Sequence, residues 1–329
     1  MTITARELYE QYAGLHAQYK AQASQLQVDL AECIGERGVL KAAVSARAKE
    51  PLELFKKQLR KKYSDPWSEC SDIVGARVIV GTSSERSEVV ASLRSSNLFQ
   101  VIAIENQEEQ SDPSVIRYRG LHAHITSDAV QRPDGTPLQC EVQIRTAAQH
   151  AWAETEHRYI YKKGEVPDAV KRHFNRLLVL MELFDLQLEE GVSMARELDG
   201  FRRLELAQYL EATVNHLTRA PSDAHLTMHV IEQVESAGLG SATELRALVE
   251  VYMRENLGEV STVINEYGPK SESHDVSSGW ITTQGELILI LALLNRDEYA
   301  LSNALEGSDL FDPVERLAMA TGHMGFLRG

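Results

Sequence analysis

Ser71-Asp72-Ile73-Val74-Gly75-Ala76-Arg77-Val78-Ile79-Val80 reads as a buried strand with a carboxylate at its start and a guanidinium in its middle. Cys140-Glu141-Val142-Gln143-Ile144-Arg145-Thr146 repeats the idea. Its alternation sets Val142 and Ile144 on one face and Glu141, Gln143 and Arg145 on the other, so a row of polar groups points away from the core. A carboxylate beside an arginine on each of two strands suits a magnesium-bound phosphate substrate. Mg²⁺ takes oxygen ligands from one or two carboxylates plus the phosphates themselves, and arginine matches phosphate bidentately. The same pattern also describes two exposed strand faces with surface ion pairs, and these two runs alone leave both readings open.

Outward from the two strands the pattern is mixed. A helix is expected at about Glu85 to Ser96 and an apolar strand from Phe99 to Ile104. A polar loop, Glu105 to Val115, leads into the alternating Tyr118-Arg119-Gly120-Leu121-His122-Ala123-His124-Ile125. Pro133-Asp134-Gly135-Thr136 is a turn signal before the Glu141 strand. A helix from about Thr146 to Lys163 follows. On the N-terminal side, Thr4 to Val44 has helical spacing without proline, with Leu8, Tyr12, Leu15, Tyr19 and Leu26 on one side. Pro51 suits the first turn of a helix that runs to Lys62, on which Leu52, Phe55 and Leu59 are expected to form the buried stripe. The order α, β, α, β, β, β, α predicts an α+β unit, a mixed sheet with helices against one face or both.

Pro167 to Leu198 is a leucine-dense helical pattern, to be read as core or as a dimer seam. Beyond Gly200 the pattern is helical throughout: Leu204 to Leu217, Leu226 to Ala237, Thr243 to Leu257, Gly285 to Leu294 and Pro313 to Ala320. The expected organisation is a first domain over residues 1–198 and an all-helical second domain over 199–329. The apolar run Leu287 to Leu294 is far short of a membrane span and reads as a buried helix.

The chain has 329 residues and a net charge of -14, which argues against general nucleic-acid affinity. Residues 201–329 hold nine basic against nineteen acidic residues, whereas residues 36–62 hold nine basic against three acidic. Lys57, Arg60 and Lys61 fall within one helical turn, and three cations so placed repel unless an anion sits among them. This island reads as a local polyanion site in an acidic protein, and the helix by itself reads also as a solvated charged face. Cys33, Cys70 and Cys140 are widely separated, with neither a disulfide framework nor zinc spacing. With no apolar leader at the N-terminus, a reducing cytoplasmic setting is expected.

Taken together these residues resemble the RelA/SpoT-type (p)ppGpp synthetases, and more closely the small alarmone synthetases that lack a hydrolase domain, here with a C-terminal helical extension. The resemblance covers roughly Arg47 to Lys163. It rests on Arg47-x-Lys49 with Lys57, Arg60 and Lys61, then Asp72-Ile-Val-Gly-Ala-Arg77, Tyr118-Arg-Gly-Leu-His122, Glu141-Val-Gln-Ile-Arg-Thr146, and Ala151-Trp-Ala-Glu-Thr-Glu-His157 running on to Tyr161-Lys162. It implies a nucleotidyltransferase-like synthetase core and a magnesium-dependent GTP pyrophosphokinase that moves the β,γ-diphosphate of ATP to the 3′-hydroxyl of GDP or GTP. By the same resemblance Arg47 and Arg77 would sandwich the adenine, and Lys49, Lys57 and Arg60 would hold the triphosphate. Asp72 would bind Mg²⁺, and Glu141 would help hold the metal and orient or deprotonate the 3′-hydroxyl. Tyr118 would stack on the acceptor base, with His122, Gln143 and Arg145 near the acceptor ribose and phosphates.

One segment departs from the family pattern. Where the family commonly shows a basic, glycine-containing loop before the acceptor tyrosine, this chain has Asp112-Pro113-Ser114-Val115-Ile116-Arg117-Tyr118, and Glu105, Glu108 and Glu109 make the upstream part acidic. Like charge near two phosphates costs affinity. Two alternatives therefore stand beside the GDP/GTP synthetase. One is a toxin-like relative that pyrophosphorylates an adenosine nucleotide or a tRNA 3′ end, although the acidic C-terminal third disfavours tRNA. The other is a non-catalytic nucleotide sensor. No hydrolase site is expected, since the lone His274-Asp275 pair lacks a surrounding ligand cluster. Small alarmone synthetases often assemble through helices, which makes the stripe from Leu177 to Leu186 the expected contact of a homo-oligomer. No membrane partner is expected.

Overall fold

The computed structural model describes residues 4–35, 42–106, 120–160, 166–218, 224–272 and 280–328. The chain divides into two compact units, Met1–Gly191 and Val192–Gly329.

The first unit is built on one five-stranded sheet. Its strands are β1 (Ala43–Ala48), β2 (Val74–Val80), β3 (Gln100–Asn106), β4 (Leu121–Thr126) and β5 (Cys140–Thr146), in the spatial order β1-β2-β5-β4-β3. The central pair β2 and β5 is parallel and the other three pairs are antiparallel, so the expected mixed sheet is present. Directly opposed residues share a face, and the register therefore sorts the side chains. Val78, Val142, Ile144, Leu121 and Ala123 lie on one face, in a single buried core with Leu8, Leu26 and Leu30 of helix α1 (Ala5–Gly35) and Val89 and Leu93 of helix α4 (Ser83–Ser95). The opposite face carries the polar row. Arg47 stands opposite Gly75, Gly75 opposite Glu141, and Glu141 opposite His124; in the next row Arg77, Gln143 and His122 are opposed.

Two expectations fail here. The helical reading of Thr4 to Val44 overran, since α1 ends at Gly35 and Ala43–Ala48 is an edge strand. Ala-Val-Ser-Ala-Arg-Ala has no strong strand signal of its own, and its pairing with β2 decides the conformation. Helix α2 (Pro51–Lys61) also turns the other way from its expected stripe. Leu54 and Gln58 are buried, whereas Leu52 and Leu59 are exposed. Gln58 brackets the end of the helix, donating to the Tyr63 carbonyl at 3.0 Å and accepting from the Tyr63 amide at 3.2 Å. A short helix α3 (Pro66–Glu69), capped by Asp65, leads into Asp72.

Helix α5 (Ala147–Tyr159) starts directly from β5 with a capping box between Thr146 and Gln149. The Thr146 hydroxyl also donates to Asp185 at 2.7 Å. Asp185 lies on helix α6 (Asp168–Ala195), whose Glu189 accepts from the Ser84 amide at 3.0 Å and whose Phe174 ring meets Trp152 edge-on. Of the α6 stripe, Leu178 is buried, while Leu177, Leu180, Leu183, Phe184 and Leu186 are exposed.

The second unit is helical, as expected. It contains α7 (Asp199–Thr218), α8 (Ala224–Ser236), α9 (Ala242–Tyr267), α10 (Glu286–Leu305) and α11 (Phe311–Ala320). The run Leu287 to Leu294 is buried throughout on α10, and buried Glu286 accepts from the Thr227 hydroxyl at 2.8 Å. Among the described residues no helix is long and apolar enough to cross a membrane. Cys33, Cys70 and Cys140 are buried thiols.

Candidate active site

Asp72 occupies the short turn that feeds β2, and three donors converge on it. Lys49, just past the end of β1, places Nζ 2.6 Å from Oδ2. Lys57, on the inner side of α2, places Nζ 2.8 Å from Oδ1. The Cys70 thiol, two residues upstream, donates to the same Oδ1 at 3.1 Å. Burial acts to raise the Asp72 carboxyl, but the hydrogen bonds from Lys49 and Lys57 outweigh it and hold the group well below the usual carboxylate range. Burial likewise acts to lower Lys57, and the bond to Asp72 reverses that and raises it. The orientation of α2 now has a cause, because Lys57 and Leu54 face inward together and the Leu52–Leu59 side is left outside.

Glu141 stands on the neighbouring central strand, in the middle of the polar row. Gln143 donates its amide to Glu141 at 2.8 Å, and His122 Nδ1 lies 4.0 Å from the same carboxylate oxygen. Burial lowers the His122 ring below its ordinary value against the pull of Glu141, with Arg145 adding to the lowering. Among the described residues His122 Nε2 is buried without a hydrogen-bond partner, and such an atom is suited to a ligand. Beside it His124 approaches Glu105 at 3.2 Å. Arg77 faces Gln143 across the strands and reaches Glu154 of α5 at 3.3 Å. Arg145 is buried, and burial followed by the charge of Arg77 keeps nearby His150 of α5 below its ordinary value.

Of the residues singled out in the sequence, Asp72, Lys49 and Lys57 thus form one cluster, and Glu141, Gln143, His122, Arg77 and Arg145 share one sheet face. Arg47 lies exposed at the end of β1 on that face. Arg60 does not join the Asp72 cluster: it is exposed in the last turn of α2, with Nε toward the Lys56 carbonyl at 3.4 Å. Tyr118, most of the altered loop before it, and the His274-Asp275 pair lie outside the described residues. Sequence reasoning did not find Cys70, Glu154 or His124. Cys70 was marked only by standing two positions before the carboxylate.

Residues 46–166 match the family model described as the region found in RelA / SpoT proteins. Among curated proteins, the chain is 27% identical to the GTP pyrophosphokinase YwaC of Bacillus subtilis over 128 residues, covering 39% of this chain and 59% of that protein. It is 26% identical to the GTP pyrophosphokinase rsh of Brucella ovis over 208 residues, covering 62% of this chain and 26% of that protein. The matches thus span less than two thirds of these relatives. Among solved structures, a GTP pyrophosphokinase family protein from Streptococcus pneumoniae aligns with a TM-score of 0.50 and 24% identity over 61% of this chain and 97% of that one, a likeness that speaks for the fold alone. The first unit of this chain thus carries, at residues 46–166, the region found in RelA/SpoT proteins, and it resembles the RelA/SpoT-type synthetases.

Proposed function

We propose that the first unit is a pyrophosphokinase that transfers the β,γ-diphosphate of ATP to the 3′-hydroxyl of GDP or GTP. One observation carries the reading: a carboxylate held between two lysines, Asp72 with Lys49 and Lys57, beside a strand that carries Glu141 on the same sheet's polar face. In this reading the acceptor 3′-oxygen attacks the β-phosphorus, a new oxygen–phosphorus bond forms, the bridge from the α-phosphate to the β-phosphorus breaks, and AMP leaves. Glu141 takes the proton of the 3′-hydroxyl, and Gln143 holds the carboxylate in place for that role. Lys49 and Lys57 turn from Asp72 to the triphosphate. Arg47 and Arg77 flank the adenine, which guanidinium planes suit. Arg60, being exposed at the end of α2, meets the outer phosphates. His122, whose Nε2 is buried, and Arg145 meet the acceptor together with Tyr118.

Mg²⁺ belongs to the same reading. Among the described residues no three His, Cys, Asp or Glu side chains group to hold a metal by themselves, and Mg²⁺ characteristically combines one or two carboxylates with substrate phosphates. Asp72 and Glu141 fit that role. When bound, the ion would neutralise charge spreading over the transferred group. The partner proposed for the exposed α6 stripe is a second copy of the chain, and light scattering of the full chain tests this: a monomer across micromolar concentrations removes it.

The acidic stretch of sequence before Tyr118 favours one second reading, an adenosine acceptor. The test of both is label transfer from γ-³²P-ATP with Mg²⁺, offering GDP, GTP, ATP, AMP and deacylated tRNA in parallel, with Asp72→Ala and Glu141→Ala as controls. A labelled guanosine product absent from both controls is expected. Label on an adenosine nucleotide or tRNA moves the acceptor assignment to that class, and no transfer to any acceptor by a chain that still binds ATP overturns the enzyme reading in favour of a sensor.

A further inference from the structure

The donor half of the site is tied to the N-terminal helix by a side chain that touches no substrate in the scheme above. Tyr12 of α1 is fully buried, and its hydroxyl donates to the main-chain carbonyl of Lys49 at 2.7 Å. The amide of the same residue donates to the Ile73 carbonyl at 2.8 Å. The Lys49 backbone is therefore pinned between α1 on one side and the residue after Asp72 on the other, while its ammonium closes on Asp72 itself. The Tyr12 ring is fixed in turn. It stacks on Tyr19 with centroids 5.4 Å apart and planes 26° apart, and lies 6.2 Å from Trp67. Burial pushes the Tyr12 phenol upward, so it remains a donor.

We infer that Tyr12 is a positioning residue for the ATP-binding half of the site, acting through the main chain of Lys49; the inference rests on the function proposed above. Lys49 and Glu50 are the whole connection between β1 and α2. A lysine ammonium at the end of a flexible four-carbon stem is placed only as well as the backbone that carries it, and small misplacements of binding groups are costly in phosphoryl transfer. The other α1 groups facing this connection, His16 and Lys20, stand 3.9 Å from Glu50 and are too distant to fix it by themselves. Helix α1 then contributes a placed hydroxyl as well as an apolar face.

Tyr12→Phe keeps the ring and removes the hydroxyl; Tyr19→Phe does the same to its stacking neighbour and serves as the control for packing. In the full chain, Mg²⁺-ATP affinity by calorimetry and the ATP dependence of transfer should show Tyr12→Phe weakening binding and raising KM about fivefold, the scale of one neutral hydrogen bond. The kcat should hold within about twofold, as expected for a loss confined to uniform substrate binding, while Tm falls by a few degrees, the scale of one buried hydrogen bond. Tyr19→Phe should change neither constant. In a Lys49→Ala background Tyr12→Phe should have no further effect, since the hydroxyl acts only through that residue. An unchanged affinity in Tyr12→Phe, an equal shift in Tyr19→Phe, or a full additional shift in the Lys49→Ala background each overturns the inference and leaves the proposed activity standing. A wild-type chain that binds no ATP removes both together.

Discussion

Replacing Asp72 by Asn removes one negative charge from between two ammonium groups while keeping the side chain's shape. The three side chains are largely buried, Asp72 29% exposed, Lys49 17% and Lys57 21%, so solvent compensates only in part. Two ammoniums that share one carboxylate repel by a few kcal/mol at an effective dielectric constant of about 20. The two charge-assisted hydrogen bonds that weaken are worth about 1.5–3 kcal/mol each. After relaxation and water entry the expected net loss at pH 7 is about 3 kcal/mol, in the range for removing one partner of a buried pair. The pH dependence has a fixed sign. The folded carboxyl titrates below its unfolded value of about 3.9, so its stabilisation is complete above that value and is lost as pH falls toward the folded one. Asn imitates the protonated carboxyl, and the gap between wild type and variant must therefore narrow below about pH 4. Urea unfolding followed by the fluorescence of Trp67, which packs on Tyr12 and Tyr19, with Trp152 and Trp280 replaced by Phe, measures this gap for the first unit. A difference below about 1 kcal/mol at pH 7, or a gap constant from pH 7 to about 3.5, would refute the reasoning, since the pair would then be screened as at a surface.

Three further outcomes follow from the same structure. Lys62 closes α2 in the left-handed region, with φ 53° and ψ 48°, so Lys62→Gly should stabilise the first unit by about 0.5–1 kcal/mol; a lower urea midpoint would contradict this. Thr146→Ala removes both the cap of α5 and the bond to Asp185 and should cost about 2 kcal/mol, with Thr146→Ser restoring most of it in the same melts. Burial pushes the Cys70 and Cys140 thiols up to about 12, so at pH 8 the native chain should react with Ellman's reagent at neither within minutes, and at every cysteine once denatured. Rapid native labelling of Cys70, located by mass spectrometry, would show that the pocket around Asp72 opens.

The sequence made the central strands readable because β2 and β5 each alternate apolar and polar residues within a short run, and an alternating strand with one buried face has little freedom of register. It also gave the residues of the polar row, since the alternation that buries Val142 and Ile144 necessarily turns Glu141, Gln143 and Arg145 outward. β1 was hidden for the opposite reason: an alanine-rich edge strand is specified by its partner, and its own propensity points elsewhere. Apolar spacing alone does not decide the face of α2. The helix carries apolar residues on both sides, and the attraction of Lys57 for Asp72 settles which side goes in. Helical spacing puts Tyr12 on the apolar side of its helix, and its ring is buried there, but no pattern in one dimension shows that a phenol will meet a carbonyl more than thirty residues away.

The strand order also bears on how the first unit comes into being. β5 is the last strand among the described residues and sits between β2 and β4, so before it arrives the sheet can exist only as two separate ribbons, β1 with β2 and β3 with β4. A two-stranded ribbon is marginal alone, and each of these leaves an apolar inner edge open to other chains. A nascent polypeptide stalled before Cys140 would thus lack Glu141 and also display two sticky margins, a state prone to aggregation. Arrival of one seven-residue strand joins the halves, seals both margins and brings Glu141 beside the strand that Asp72 leads into, so under the proposed function the sheet and the site are completed by the same event.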